Sequence, residues 1–311
     1  MTGCLPRSVK KVIVPPIKCQ GTKTKLVPFV MQNIRWGGRG RWIEPFLGSG
    51  VVAFNVGAKY ARLNDINPYI IELYRGIYLG QIIPKQVGAY LEAEGAKLLK
   101  LGESHYYHVR ERFNRTGDPL DFLFLSRACF NGLMRFNANG EFNVPFCRKP
   151  DRFRKPYITK IVNQVRALAN LMQGKEWRFT VGDWRACLQD VEPEDFVYLD
   201  PPYIGRHTDY YQSWDDAEAE DLAKVAQSLP CGVALSMWKQ NAFRSNLHLE
   251  RNWSGYVVRT FKHFYHIGST EDLRHPMEEA LVIKPGYEVE EAELPRSLLD
   301  NQMSLLLVAD D

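Results

Sequence analysis

Cysteine motifs, membrane-spanning segments and a secretion signal are all missing from this sequence. Its six cysteines (Cys4, Cys19, Cys129, Cys147, Cys187 and Cys231) form no CxxC pair, which argues against a disulfide framework and against a structural zinc site. No apolar run is long enough to cross a bilayer, and residues 1–11 are basic without the apolar core of a signal peptide. We therefore expect a soluble, cytoplasmic protein without a bound metal.

Two common nucleotide-binding motifs are absent as well. Gly21-Thr22-Lys23 is like the end of a phosphate-binding loop, but the earlier glycine that such a loop requires is missing. The turn Gly48-Ser49-Gly50 is not a GxGxxG motif. Nucleoside triphosphates and dinucleotides are therefore disfavoured as ligands.

Basic residues are concentrated in the middle of a chain of 311 residues whose formal net charge is only +4. Aromatic residues are interleaved with them, which suits a polyanion such as DNA, although a solvated helical face remains an alternative. The basic residues of this stretch are Arg110, Arg112, Arg115, Arg127, Arg135, Arg148, Lys149, Arg152, Arg154 and Lys155.

The segment from residue 41 to residue 65 predicts half of a nucleoside-binding fold. A short strand leads to the glycine turn at 48–50, a helix-like run follows, and a second strand ends at Asp65. Glycines let the backbone pass close to a ligand, and a carboxylate at the next strand end commonly holds ribose hydroxyls.

The most informative stretch is Asp200-Pro201-Pro202-Tyr203. The apolar residues 196–199 predict a buried strand that ends at this acid, and the prolines prevent further strand pairing. Ligands of open α/β sheets bind at this edge, but the tetrapeptide alone could equally be a plain turn. Gly182-Asp183-Trp184 follows another predicted strand, and a further helix is predicted to begin at Gln240.

A β-hairpin is predicted within residues 130–146, after a largely helical stretch. Asn139-Gly140 between alternating residues is a strong hairpin signal. A two-stranded ribbon fits the major groove of DNA, but a structural hairpin is an equally good interpretation from the sequence.

In this order, the motifs resemble the Dam-like DNA adenine methyltransferases, which are α-class amino-methyltransferases that use S-adenosylmethionine. The resemblance extends over residues 12–285 and rests on residues 18–23, 44–50, 65, 127–146, 182–184 and 200–203. It implies a Rossmann-like α/β sheet with helices on both faces, and an inserted, mostly helical target-recognition domain that carries the hairpin. The implied domains are a catalytic domain (1–75 and 157–285), the target-recognition domain (76–156) and a C-terminal tail (286–311).

The resemblance also implies roles for individual residues. Asp65 would hold the cofactor ribose, Asp183 and Trp184 would border its adenine, and Tyr203 would stack on the target base. The other implied cofactor contacts are Cys19, Lys23, Phe46, Gly48, Gly50 and Asp200, the implied catalytic residues are Asp200, Pro201, Pro202 and Tyr203, and the implied DNA contacts are Asn131, Leu133, Arg135 and Pro145. The family usually has tryptophan where this chain has Cys19, glycine at Thr22 and a smaller aromatic residue at Trp184.

The expected activity is methylation of the 6-amino group of a flipped-out adenine in double-stranded DNA, in a site that contains GAT. A cytosine 4-amino methyltransferase and a catalytically inactive DNA-binding relative remain alternatives. A restriction endonuclease is one expected partner. Residues Gln302–Leu307 resemble peptides that bind bacterial sliding clamps, although an ordinary tail is the simpler interpretation.

Overall fold

The sheet at the centre of the molecule is mixed and has helices on both faces. The computed structural model describes residues 3–203, 214–241, 244–264 and 276–290. Within these residues there are eight strands: β1 (Arg41–Glu44), β2 (Tyr60–Asp65), β3 (Glu176–Val181), β4 (Phe196–Leu199), β5 (Gly232–Asn241), β6 (Arg244–Ser245), β7 (Val257–Phe264) and β8 (Pro276–Ile283).

Seven strands lie side by side in the order β3-β2-β1-β4-β5-β8-β7, and the short β6 pairs with the end of β5. The strands from β3 to β5 are parallel to their neighbours, while β8 is antiparallel to both β5 and β7. The strand order reverses between β1 and β4. In open α/β sheets, ligands bind beside such a reversal, at the carboxyl ends of the strands.

The described residues form ten α-helices: α1 (Val27–Asn33), α2 (Val51–Val56), α3 (Pro68–Tyr78), α4 (Pro84–Leu101), α5 (Glu103–Thr116), α6 (Pro119–Ala128), α7 (Lys155–Met172), α8 (Trp184–Cys187), α9 (Asp216–Ser228) and α10 (Leu247–Asn252). Several of these helices begin at a residue whose side chain accepts hydrogen bonds from the free amides of the first turn. Asn67 accepts from the amide of Tyr69 at α3, and Asp118 accepts from two amides at α6. Proline occupies the first position of both helices, where its missing N–H has no cost.

Alternating residues of the buried strands face two separate cores. In β4, Phe196 and Tyr198 pack into the larger core with α1–α7, whereas Val197 and Leu199 pack into a smaller core with α8 and α9. The sequence therefore predicted the α/β architecture correctly. Buried residues of α4, α5 and α6 belong to the same large core as the sheet, and the predicted division into domains stays a prediction.

The helix predicted to begin at Gln240 is wrong. β5 continues to Asn241 because its last residues pair with β8 and β6, and α10 begins only after Asn246, whose side chain accepts from the amide of His248. None of the helices in the described ranges is both long and apolar enough to cross a membrane.

Residues 286–290, the start of the predicted tail, pack against the segment that follows α1. The amide of Val289 donates to the carbonyl of Asn33, and the amide of Arg35 donates to the carbonyl of Tyr287. Val289 is buried. The predicted clamp-binding residues 302–307 lie outside the described residues.

Candidate active site

Three polar side chains meet where β4 ends beside β5 and β8, and the sheet register brings them together. The parallel pairing of β4 with β5 ends at Leu199 and Leu235, so Asp200 and Ser236, which directly follow these two residues, lie side by side. Glu279 of β8 pairs with Trp238, two residues beyond Ser236, and therefore faces the same side of the sheet.

Asp200 is held by a hydroxyl group and by an ammonium group. The hydroxyl of Ser236 donates to Oδ1 over 2.9 Å, and Nζ of Lys23 lies 3.0 Å from the same oxygen. Burial raises the pKa of Asp200, and the charge and hydrogen bond of Lys23 act against that rise. The nearby Glu279 raises the pKa further. Lys23 therefore favours the ionised form of a carboxyl group that its surroundings would otherwise keep protonated.

Tyr203 is contacted on one face of its ring and at its hydroxyl group. Nζ of Lys23 lies over the ring, 4.6 Å from its centroid, and the phenol hydroxyl donates to Oε2 of Glu279 over 2.6 Å. Lys23 is 5% exposed and Glu279 is fully buried. The predicted catalytic residues Asp200 and Tyr203 and the predicted cofactor residue Lys23 thus form one cluster.

The glycine turn after β1 is bonded directly to the acid at the end of β2. The amide of Gly48 donates to Oδ2 of Asp65 over 2.7 Å, and the amide of Asn67 donates to Oδ1 over 2.9 Å. Burial raises the pKa of Asp65 to about 6, although both amides favour its ionised form. Each carboxylate oxygen keeps a further lone pair that can accept a hydroxyl group.

The turn itself has the shape of a ligand cradle. Gly48 and Gly50 have φ angles of 50° and 71°, which favour glycine. A Cβ atom at Gly50 would lie 2.4 Å from the Phe54 ring, whereas one at Gly48 would meet no atom within 4 Å. The open side of Gly48 therefore leaves room for a ligand next to Asp65, which fits the methionine and ribose parts of S-adenosylmethionine.

Cys19 lies between the two acids of this site. Burial raises the pKa of its thiol, and the charges of Asp65 and Asp200 act in the same direction. Its sulfur contacts the hydroxyl of Thr22 at 3.3 Å. The short segment 18–23 thus brings Cys19 and Lys23 to the same end of the sheet as Asp65 and Asp200.

Asp183 and Trp184, which were predicted to border the cofactor adenine, lie directly after β3. Asp183 caps α8 and forms an ion pair with Arg185. Trp184 is 4% exposed, donates to Glu218 over 3.1 Å and packs near Phe46, with 6.4 Å between the ring centroids. Most of the Trp184 surface is thus covered by protein, and the role predicted for this pair at the cofactor stays a prediction.

The predicted hairpin is an irregular antiparallel ribbon, residues 129–147. Bridges join Cys129 to Phe146 and Phe136 to Phe142, and the turn residue Gly140 has a φ angle of 75°. Its even-numbered residues from 132 to 136 and from 142 to 146 are buried against the helices, while the intervening residues are more exposed. Of the four predicted DNA contacts, Asn131 and Pro145 are exposed and Arg135 is half-buried, whereas Leu133 is half-buried and packs against the large core.

Arg135 is held in place on the outer face of the ribbon. Its Nε donates to Oδ1 of Asn143 over 2.8 Å. The amide of Gln20 donates to the carbonyl of Gly132, and the side chain of Lys18 covers that glycine. The segment 18–23 therefore connects the ribbon directly to Asp200.

An apolar cleft borders the strand exit on one side. It contains about 400 Å³ of space, part of which is open to solvent. Pro201, Pro202 and Tyr203 form one wall, and Trp214, Met237, Trp238 and Trp253 contribute to the rest.

Three buried polar residues of the site were not predicted from the sequence: Ser236, Glu279 and Glu44. Glu44, at the end of β1, is 2% exposed and accepts a hydrogen bond from the indole of Trp42 over 2.7 Å. Burial raises the pKa of Glu44 to about 8. The available signal was a polar residue at a strand end for Glu44 and a polar residue inside a largely apolar strand for Ser236 and Glu279, and neither signal reveals the neighbours of the residue.

The family model for D12 class N6 adenine-specific DNA methyltransferases matches residues 20–267. This range includes the glycine turn, Asp65, the ribbon and Asp200-Pro201-Pro202-Tyr203. The chain belongs to this family. It is therefore an adenine-specific DNA methyltransferase, and the cytosine alternative is not supported.

Curated relatives agree with this assignment. The type II methyltransferase M.MjaIII of Methanocaldococcus jannaschii is 30% identical over 213 residues, which are 61% of this chain and 69% of the relative. The DNA adenine methylase of Serratia marcescens is 31% identical over 261 residues, 78% of this chain and 89% of the relative. The DNA adenine methylase of Escherichia coli K12 is 32% identical over 201 residues, 60% of this chain and 66% of the relative.

Among solved structures, the chain is similar to two structures of an rRNA methyltransferase from Streptomyces viridochromogenes, with TM-scores of 0.33 and 0.35 at 15% identity. The similarity covers 78% and 84% of this chain, and 75% and 78% of the other chains.

Proposed function

We propose that this enzyme transfers a methyl group from S-adenosylmethionine to the 6-amino group of an adenine that has been flipped out of the duplex, in a site that contains GAT. The observation that supports this most directly is the Asp200 carboxyl group, which a lysine and a serine hold at the end of β4. The Gly48–Asp65 turn lies next to it across the neighbouring strands.

The amino group of adenine is a weak nucleophile because its lone pair is delocalised into the ring. Asp200 and the carbonyl of Pro201 can accept hydrogen bonds from its two protons, which favours a pyramidal nitrogen whose lone pair points at the methyl donor. Both observed contacts of the Asp200 carboxylate use Oδ1, and in the proposal Oδ2 accepts the amino proton. Tyr203 stacks on the base, which can reach these groups only outside the helix.

The residues at the carboxyl ends of β1, β2 and β3 fit S-adenosylmethionine. Asp65 can accept from the ribose hydroxyls, and the open side of Gly48 leaves space for the methionine part. Bound there, the cofactor would supply a methyl group on a sulfonium ion. The protein's own contribution is to orient the amine and to exclude water, without a covalent enzyme intermediate.

The ribbon is the proposed reader of the DNA sequence. Asn131 and Pro145 are exposed on it and Arg135 is half-buried, while Leu133 packs partly against the large core. Arg135 is already oriented by Asn143, and a guanidinium group can form two hydrogen bonds to the major-groove edge of a guanine. We propose that this contact reads the guanine of GAT.

Methyl transfer by an Asp200→Ala variant tests the chemistry. We expect labelled methyl transfer to unmethylated DNA to fall by a factor of ~100 or more, with DNA binding retained, since only the amine-orienting group is lost. Glu220→Ala, an exposed acid of α9, serves as the control. Substantial transfer by Asp200→Ala would overturn the proposed site.

Sequencing of methylated bases tests the proposed specificity. DNA from a host that expresses the wild-type enzyme should carry methylated adenine in sites that contain GAT. We expect Arg135→Ala to methylate sites in which one guanine is replaced, with Arg166→Ala, an exposed arginine of α7, as the control. An unchanged site preference in Arg135→Ala would exclude Arg135 as the reader.

The two predicted protein partners rest on the sequence alone. A pull-down with purified sliding clamp, using the full chain and a variant with residues 302–307 replaced by alanine or serine, tests the clamp contact. The restriction partner is tested by asking whether the methylated site protects DNA from an endonuclease of the same source.

A further inference from the structure

Glu279 is a buried carboxyl group in the middle of a paired strand. It lies within β8, between Trp238 of β5 and Phe261 of β7, and it is fully buried. Burying a carboxyl group costs several kcal/mol unless hydrogen bonds compensate, and an apolar residue would fill such a position at least as well. A role beyond the sheet therefore explains this residue better than packing does.

Tyr203 lies beyond the sheet, and contacts with other segments of the chain fix the position of its ring. The chain leaves the sheet after Leu199, and the intervening prolines have no N–H with which to pair. The position of the ring therefore depends on contacts of the side chain. Its hydroxyl donates to Glu279 over 2.6 Å, and Lys23 lies over its face.

We infer that Glu279 is a positioning residue, which fixes the plane of the Tyr203 ring so that the target adenine stacks with its amino group next to Asp200. This inference rests on the proposed role of Tyr203. Glu279 belongs to a paired strand and is itself rigid, so it transfers the geometry of the sheet to a residue that lies beyond it.

The same contacts fix the position of the Tyr203 ring relative to the Asp200 carboxylate. Lys23 contacts the Asp200 carboxylate and the Tyr203 ring at once. Glu279 holds the hydroxyl group at the tip of the ring. A ring that is held on one face and at its hydroxyl group cannot rotate or tilt freely, and a base stacked on it therefore meets Asp200 in one orientation. Losing Glu279 should thus impair the transfer step more than the binding of DNA.

A mutant cycle tests this inference. Tyr203→Phe keeps the ring and removes the hydroxyl, while Glu279→Ala removes the acceptor. We expect each change to lower kcat by about tenfold with a smaller effect on KM, since each removes the hydrogen bond between Tyr203 and Glu279. The double variant should be no slower than Tyr203→Phe, because both changes remove the same contact.

Glu279→Gln is the conservative variant, since its amide oxygen can still accept from Tyr203. Its kcat should stay within about threefold of wild type. Glu278→Ala is the matched control, because Glu278 is a neighbouring buried acid of β8 that faces the other side of the sheet and contacts Lys239 and Gln240. It should leave the ratio of kcat to KM unchanged.

Additive effects of Glu279→Ala and Tyr203→Phe would overturn the inference, and so would an unchanged kcat in a folded Glu279→Ala enzyme. Thermal melting establishes that each variant is folded. If Glu279→Ala does not fold, Glu279→Gln takes its place in the cycle. The combination of Glu279→Gln with Tyr203→Phe should then be no slower than Tyr203→Phe alone, and a further loss of rate would count against the inference. Failure of the proposed site is recognised separately, because Asp200→Ala would then retain transfer.

Discussion

Replacing Lys23 by methionine should slow methyl transfer most strongly at low pH. Methionine keeps much of the apolar stem but removes the ammonium group, which lies 3.0 Å from Asp200. Burial already raises the pKa of Asp200, and Lys23 is the main influence that lowers it. Without Lys23 the pKa of Asp200 rises further, so a larger fraction of the carboxyl group is protonated and cannot accept the amino proton.

The size of the effect follows from the burial of the pair. The side chains of Lys23 and Asp200 are 6% and 25% exposed, so solvent screens their contact only in part. A hydrogen bond to a charged group contributes about 1.5–3 kcal/mol, which corresponds to a factor of roughly 10 to 100 in rate. Because the pKa of Asp200 is higher without Lys23, the acidic limb of the pH profile of kcat should also move to higher pH.

The assay is the initial rate of labelled methyl transfer to unmethylated DNA, measured from about pH 5.5 to pH 9 at saturating cofactor. Lys25→Met, an exposed lysine two residues away, is the control. Cofactor affinity is measured separately, because Lys23 was also predicted to contact the cofactor. An acidic limb that stays in place while only cofactor affinity changes would refute the reasoning.

Three further predictions concern the buried polar groups of the site. Burial raises the pKa of Glu44 from 4.5 to about 8, so the carboxyl group loses its proton at lower pH in the unfolded chain than in the folded one. The free energy of unfolding should therefore fall by at most about 5 kcal/mol as the pH rises from about 4.5 to about 8. Glu44→Gln should flatten this fall in melting experiments. Ser236→Ala should lower kcat by about tenfold without weakening cofactor binding, measured by calorimetry, because one donor to Asp200 is lost. Asp65→Asn should weaken cofactor binding by roughly tenfold or more, and the wild-type affinity should decline below about pH 6, where Asp65 becomes protonated; an affinity independent of pH would contradict this role.

The sequence was sufficient to predict the features that depend on neighbouring residues. Asp65 ends a predicted strand, Asp200 directly follows an apolar one, and the prolines after Asp200 end strand pairing, so the place of both acids at the edge of a parallel sheet followed from local pattern. The Asn139-Gly140 signal predicted the ribbon in the same way, and the alternation of buried and exposed residues shows which side chains it presents. The error at Gln240 arose because helix-like polar residues there are held in a strand by pairing with β8.

Contacts between distant parts of the chain could not be predicted in this way. Ser236 reaches Asp200 because β5 lies parallel beside β4, and Glu279 reaches Tyr203 because β8 lies antiparallel beside β5 in one particular register. A shift of that register by one residue would turn Glu279 to the opposite face of the sheet and replace it by Glu278 or Ala280. The contact between Tyr203 and Glu279 thus depends on the order and register of the strands, which the local sequence pattern does not reveal.

The candidate active site is formed by separate segments of the chain. Lys23 comes from the N-terminal segment, Asp200 and Tyr203 from the exit of β4, Ser236 from β5 and Glu279 from β8, and each contacts at least one of the others. The segment that carries Lys23 also contacts Gly132 of the ribbon. A movement of the ribbon on DNA would therefore reach Asp200 through one short stretch of chain, which links the proposed reading of the sequence to the proposed site of methyl transfer.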